Sequence, residues 1–161
     1  MKGGEKLKER ISVKPKIMEL QNTNDIYMTM NLRILSTEKN LNNAIFQKSF
    51  LEGTVDDKEK LVGLPFVVNK GALENDEYLT HELDTETGEL KTDQVGSFVD
   101  FWIDEEDDKD VLMGEVRIFK RFPTVCSKIL EMYSEGILST SCEVAITKYD
   151  EISEDGERYI G

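Results

Sequence analysis

From Ser139 to Glu143 the chain reads STSCE, which places two serines, a threonine, a cysteine and a carboxylate within one short stretch. A serine or cysteine attacks a carbonyl carbon when a neighbouring base takes its proton, and a carboxylate can hold that base in orientation. Histidine is the usual base, and the chain has a single one, His81, well upstream of Ser141. Other arrangements that carry hydrolytic or phosphate chemistry are missing. His81-Glu82 begins like a zinc-protease helix, but the position that needs a second histidine is Thr85. Neither a GxSxG nucleophile elbow nor a glycine-rich phosphate loop occurs.

Which side chain would attack follows from strand parity. Residues from Ile137 to about Tyr149 read as a strand. Their even positions, Leu138, Thr140, Cys142, Val144 and Ile146, are mainly apolar; their odd positions, Ser139, Ser141, Glu143, Ala145 and Thr147, are small or polar. Successive side chains on a strand point to opposite faces, so Cys142 is assigned to the core and Ser141 to the polar face. Ser141 and Glu143 would share that face about 6.5–7 Å apart, a span that a bridging imidazole fits. Ser139 is the lesser candidate. The plain alternative is a solvated strand face with no chemistry, with His81 an ordinary loop histidine.

The elements that would position these residues can be read from periodicity. In Asp25–Ser36, Ile26, Met28, Met30, Leu32 and Ile34 alternate with Tyr27, Thr29, Asn31 and Arg33, the pattern of a half-buried strand. Asn40–Gly53 has Ile45, Phe46, Ser49 and Phe50 at helical spacing, with Gly53 as a stop. Leu61–Gly71 is apolar but interrupted by Pro65, which suits an edge strand or a loop. Gly71–Leu90, with His81 inside it, is polar and turn-rich. Gln94–Asp104, with Val95, Val99, Phe101 and Ile103 on one side, the charged turn Glu105–Asp110, and Val111–Phe122 make a hairpin. Pro123–Gly136 is a helix with Val125, Ile129, Met132 and Tyr133 on one face, Thr124 as N-cap and Gly136 as terminator. Asp155-Gly156 marks a last hairpin turn.

Residues 1–24, rich in lysine and containing Gly3-Gly4, are expected to be a flexible arm, although VKPKIMEL could add an edge strand. Residues 25–161 are expected to form one domain, with a C-terminal remainder beyond the final turn. The chain carries 33 acids against 20 bases, a net charge of −13. That charge argues against a nucleic-acid or anionic-membrane partner, since both need a positive footprint. Cys126 and Cys142 are neither a disulfide framework nor a metal motif. The acidic turn lacks the glycine and distant glutamate of an EF-hand loop. No metal or cofactor is expected, and a reducing cytoplasm suits this cysteine usage.

The order of these features resembles the prohead, or capsid maturation, serine proteases of tailed phages, which share a fold with the herpesvirus assemblins. LVGLPFVV is similar to the segment that precedes the catalytic histidine in that family. QVGSFVDFWI is similar to the strand that follows it, and SEGILSTSCE to the helix end and strand that bear the nucleophile. The resemblance covers about Leu61 to Ile146 and rests on the order of these segments and on the His-to-Ser spacing. Serine proteases of defective-prophage gene clusters look especially similar. The resemblance implies an α+β, mainly β fold: a small β-barrel with flanking helices.

It further implies His81 as general base and Ser141 as nucleophile. Many members place the serine six residues after the helix-ending glycine; here Ser141 lies five after Gly136, and the sixth is Cys142. Strand parity and the following Glu143 select Ser141. The herpesvirus enzymes use a second histidine as third member. This chain has none, so Glu143 takes that role, with Asp100 and Asp150 behind it. The implied activity is a serine endopeptidase that processes phage scaffold and capsid proteins, and itself, inside the assembling procapsid in the bacterial cytoplasm. Self-association would be compatible with that setting. The alternatives are a catalytically inactive head-assembly or scaffold-like protein, or an unrelated cytoplasmic binding module.

Overall fold

The computed structural model describes residues 9–38, 44–69, 92–140, 142–146, 151–152 and 158–160. Among them, a five-stranded antiparallel sheet runs in the order β2 (Lys16–Gln21), β3 (Tyr27–Ser36), β7 (Lys109–Phe119), β6 (Thr92–Glu106), β5 (Pro65–Asn69). Strand β1 (Glu9–Val13) pairs with β8 (Cys142–Ile146). Strand β10 (Arg158–Ile160) lies between β4 (Ala44–Phe46), to which it is parallel, and β9 (Glu151–Ile152), to which it is antiparallel. Three helices, α1 (Lys48–Asp56), α2 (Lys58–Leu61) and α3 (Pro123–Ser134), accompany the strands. The chain is thus mainly β with flanking helices, as expected. The described strands form three sheets, none of which closes into a barrel.

Cross-strand pairing explains the core. Met28, Met30 and Leu32 of β3 lie opposite Ile118, Val116 and Gly114 of β7, which in turn lie opposite Gly96, Phe98 and Phe101 of β6. Residues directly opposite each other share a face, so these positions make one apolar layer. Met28, Met30, Leu32, Val116 and Ile118 are almost completely buried, and the Phe98 and Phe101 rings stack 5.1 Å apart. Leu51 of α1 and Val125, Cys126 and Ile129 of α3 join the same cluster, with Val13, Phe46 and Ile160 from the smaller sheets.

Bulges break the simple alternation. Each adds one residue to its strand and moves the following side chains to the opposite face. The register shifts between Ile17 and Glu19, between Arg33 and Leu35, between Phe98 and Asp100, and where β6 passes Phe66 and Val67 of β5. Ile17 and Leu20 therefore both meet the core, and Met18 stays exposed between them. Likewise Phe98 and Phe101 pack together, which corrects the expectation that Val99 lines that side. Ile26 ends up 70% exposed in the bend before β3 and lies outside the expected stripe.

Other expectations need correction too. Residues 1–24 do not form a flexible arm throughout: 9–13 and 16–21 are paired strands. The helix expected over Asn40–Gly53 begins only at Lys48, and Gly53 lies inside it. Ala44–Phe46 extends because it finds a strand partner in Arg158–Ile160, and pairing overrides helical spacing. Pro65 opens β5 at the edge of the large sheet, where its missing N–H costs nothing. Helix α3 is capped by Phe122 with Pro123 in its first turn, without a side-chain cap from Thr124. Gly136 does terminate it, at φ +73°. Val125, Ile129 and Met132 are buried as expected, whereas Tyr133 is 40% exposed.

Candidate functional site

The strand expected to carry the nucleophile starts later than its pattern suggests. Helix α3 ends at Ser134, Gly136 turns the chain, and the Ile137 N–H bonds back to the Met132 carbonyl. Residues 137–140 have no regular structure, and the ladder begins at Cys142. Even so, burial alternates through the irregular segment. Ile137 and Ser139 are exposed, while Leu138 and Thr140 are half-buried. Leu138 and Cys142 both pack against the core cluster. The inward direction holds for Leu138 and Cys142, and Cys142 is half-buried rather than fully enclosed.

Register then fixes what lies across from the strand. Cys142 is opposite Val13, Glu143 opposite Ser12, and Val144 opposite Ile11. Val13 is 7% exposed and belongs to the core. Ser141 and His81 lie outside the described residues, as does Asp150. For Glu143 only the backbone, in β8, is described. The expected His81–Ser141–Glu143 arrangement is therefore an expectation about positions next to β8 and within the connection from β5 to β6.

Asp100, the reserve third member, has other partners. Its Oδ1 accepts the Lys58 ammonium at 3.0 Å and the Phe101 N–H at 2.9 Å. The Lys58 contact, aided by that backbone donor, holds the Asp100 carboxyl below the ordinary carboxylate range, with slight burial opposing. A carboxylate so engaged ties α2 to β6. Cys126 is buried in α3, with its thiol directed at the Phe119 carbonyl at 3.6 Å. Burial pushes that thiol up, so it is not an activated nucleophile. Two open grooves appear among the described residues. One, of about 370 Å³, includes Phe50, Gly53, Asp57 and Lys60; the other, of about 520 Å³, includes Ile26, Phe119, Lys120 and Arg121. Neither is lined by a residue of β8. No group of three or more His, Cys, Asp or Glu side chains among the described residues could hold a metal ion. No described helix is long and apolar enough to cross a membrane.

Comparison with family models, curated proteins and solved structures finds no match to this chain.

Sequence reasoning missed β1. Its signal was the alternation of Ile11 and Val13 with Arg10 and Ser12, hidden in a lysine-rich stretch that reads as solvated. It is the one described strand against which β8 is laid.

Proposed function

We propose that this chain is a serine endopeptidase of the prohead-protease type, acting on scaffold and capsid proteins during phage procapsid assembly. Ser141 is its nucleophile, His81 its general base and Glu143 the group that orients the imidazole. His81 takes the Ser141 proton as the hydroxyl attacks the scissile carbonyl, and returns it to the leaving amine. Water then releases the acyl group by the same route.

The observation that carries this reading is strand order. Strands β1 and β2 are separated only by Lys14-Pro15, yet β1 pairs with β8 and β2 with β3. Through that two-residue link the chain passes from the β1–β8 pair to the edge of the five-stranded sheet, so that along the chain and its ladders the order reads β8, β1, then β2, β3, β7, β6, β5. Its two ends are the strands that adjoin the two residues of interest: β5 leads into the connection that contains His81, and β8 begins one residue after Ser141. In our reading the series curls into a small barrel, as in the assemblin fold. Such a closure would bring β5 towards β8, and with them the segments that contain His81 and Ser141. The element order from β5 through the β6–β7 hairpin and α3 to β8 is the order on which the resemblance to the prohead proteases rests.

Coexpression with phage capsid and scaffold proteins tests the reading. Wild-type chain is expected to cleave these proteins or itself, and Ser141→Ala and His81→Ala are each expected to abolish cleavage while remaining folded. The double variant should be little worse than either single one, because the pair acts as a unit. Cleavage by Ser141→Ala at the wild-type rate would remove Ser141 from the mechanism. No cleavage under any assembly condition would favour the structural head-assembly alternative.

A further inference from the structure

We propose that copies of this chain associate head to tail, the acidic β6–β7 hairpin tip of one copy seated in the basic groove at the far end of β7 in the next. The inference is independent of the protease reading. The groove, of about 520 Å³, is lined by Asp25, Ile26, Phe119, Lys120 and Arg121. Arg117 precedes Phe119 by two residues and so shares its face of β7. Its guanidinium lies 4.4 Å over the Tyr27 ring, and its Nε is buried without a hydrogen-bond partner. Among the described residues, Arg33, Lys48, Lys58 and Lys60 each pair with a carboxylate, whereas Arg117, Lys120 and Arg121 do not. In a chain with 33 acids and 20 bases, neighbouring cations left unpaired make a local positive surface that fits an acidic partner.

The other end of β7 carries the complement. Residues 104–109, at the hairpin tip, are all exposed. Asp104 accepts the Trp102 Nε1–H at 3.2 Å, Glu106 pairs with Arg33 at 3.1 Å, and Asp110 pairs with Lys48 at 3.7 Å. Glu105, Asp107 and Asp108 enter no ion pair among the described residues. The minority charges match as well: Lys109 stands at the tip and Asp25 in the groove. The methylene stem of Lys109 can lie on Ile26, which is 70% exposed. Lys109 and Phe119 begin and end the same strand, about 33 Å apart, so a tip cannot reach its own groove. The contact is therefore between copies. It joins two different surfaces, which makes it heterologous and leaves a free tip and a free groove on every growing chain of copies. Net charge repels the copies at long range, but at contact the charges within a Debye length, about 10 Å at 0.1 M salt, decide. One hairpin tip covers little area, so the contact belongs among the small, transient interfaces.

Two full-length variants and their mixture test this by sedimentation velocity over a concentration series. Lys120→Gln/Arg121→Gln neutralises the groove and keeps the tip. Glu105→Gln/Asp107→Asn/Asp108→Asn neutralises the tip and keeps the groove, with asparagine suited to the left-handed backbone at 107 and 108. Wild-type chain should sediment faster as concentration rises, in species that grow beyond pairs. Each variant alone should associate about tenfold or more weakly than wild type. Their equimolar mixture offers one intact tip and one intact groove per pair, so it should recover the wild-type affinity and stop at pairs.

Wild-type chain that stays monomeric throughout would overturn the proposal. So would association that either variant leaves intact, or a mixture that associates no better than its components. A monomeric wild type that binds a peptide of the tip, residues 103–111, and loses it in Lys120→Gln/Arg121→Gln would overturn the second copy as occupant and give the groove to an acidic segment of another protein.

Discussion

In the large sheet, β7 runs for 11 residues between β3 and β6 and has a partner on each side along most of its length. Strand β8 runs for five residues and, among the described residues, is laddered on one side only, by a strand as short as itself. The two regions share one hydrophobic cluster but differ in how many independent interactions hold each residue in place. Buried strands paired on both sides exchange at free energies near the global one, whereas a short pair laddered on one side opens locally at lower cost. Functional segments are commonly drawn from that less stable end. The difference implies that the β1–β8 pair opens at lower cost than the large sheet.

The comparison breaks most visibly at Gly96. A Cβ there would run into the Arg117 carbonyl oxygen of the neighbouring strand, which is backbone and has no rotamer to yield. Gly96→Ala should lower unfolding free energy by about 3 kcal/mol or more, measured by urea denaturation. Gly114→Ala meets the Ile34 Cδ1 tip at 2.8 Å instead, which can move, so its cost should be clearly smaller. Equal losses would mean that the β6–β7 contact is looser than its geometry suggests.

A matched pair of truncations sharpens the contrast between regions. Val116 is fully buried in β7, and Val13 nearly so in β1. Val116→Ala should cost about 2–3 kcal/mol of global stability, the loss of transfer energy plus a cavity in a site that cannot collapse. Val13→Ala should cost only about 1 kcal/mol, because β1 can shift, yet it should speed amide exchange at 142–146 more than Val116→Ala does. Equal global costs would place β1 in the same cooperative unit as the sheet.

At the hairpin tip, Asp107 and Asp108 adopt φ of 50° and 62°. Both are left-handed, as the tight turn between β6 and β7 requires, and glycine reaches that region without a Cβ penalty. Asp108→Gly should raise the unfolding free energy by about 0.5–1 kcal/mol in a thermal melt, with no effect at β8. A loss of stability would show that the aspartate makes compensating contacts.

The smallest effect is expected at Asp100, whose carboxyl is held below its ordinary range by Lys58. A folded pKa below the unfolded one contributes stability that is present above the unfolded value and lost as pH falls through the folded one. The group is nearly half exposed, so solvent and salt screen it. Asp100→Asn should cost a few tenths of a kcal/mol at neutral pH and low salt. The gap from wild type should close as the pH drops through and below the carboxylate range. A gap that persists at low pH would assign the loss to packing rather than charge.

Much of the scaffold was legible in sequence. Strand β3, the β6–β7 hairpin and α3 each bury one face at their own period, so Met28, Met30, Leu32, Phe101, Val125 and Ile129 fell where periodicity put them. What periodicity could not give was anything set by distant pairing. The bulges each depend on a neighbour's register, which is how Phe98 displaced Val99 from the core. Ala44–Phe46 became a strand because Arg158–Ile160 was there to meet it, and the strand character of Glu9–Val13 depends on β8. At the site, strand parity directed Cys142 inward correctly. Because the strand starts at Cys142, that direction reaches Leu138 through irregular backbone.

The central claim, that Ser141 is an activated nucleophile served by His81, is tested most directly by peptide mapping after reaction with a fluorophosphonate. The account predicts one adduct per chain, on Ser141, absent from Ser141→Ala and reduced by about 100-fold or more in His81→Ala, the loss expected when a general base is removed. An adduct on Ser139 or elsewhere, or Ser141 labelling that is indifferent to His81, would contradict it.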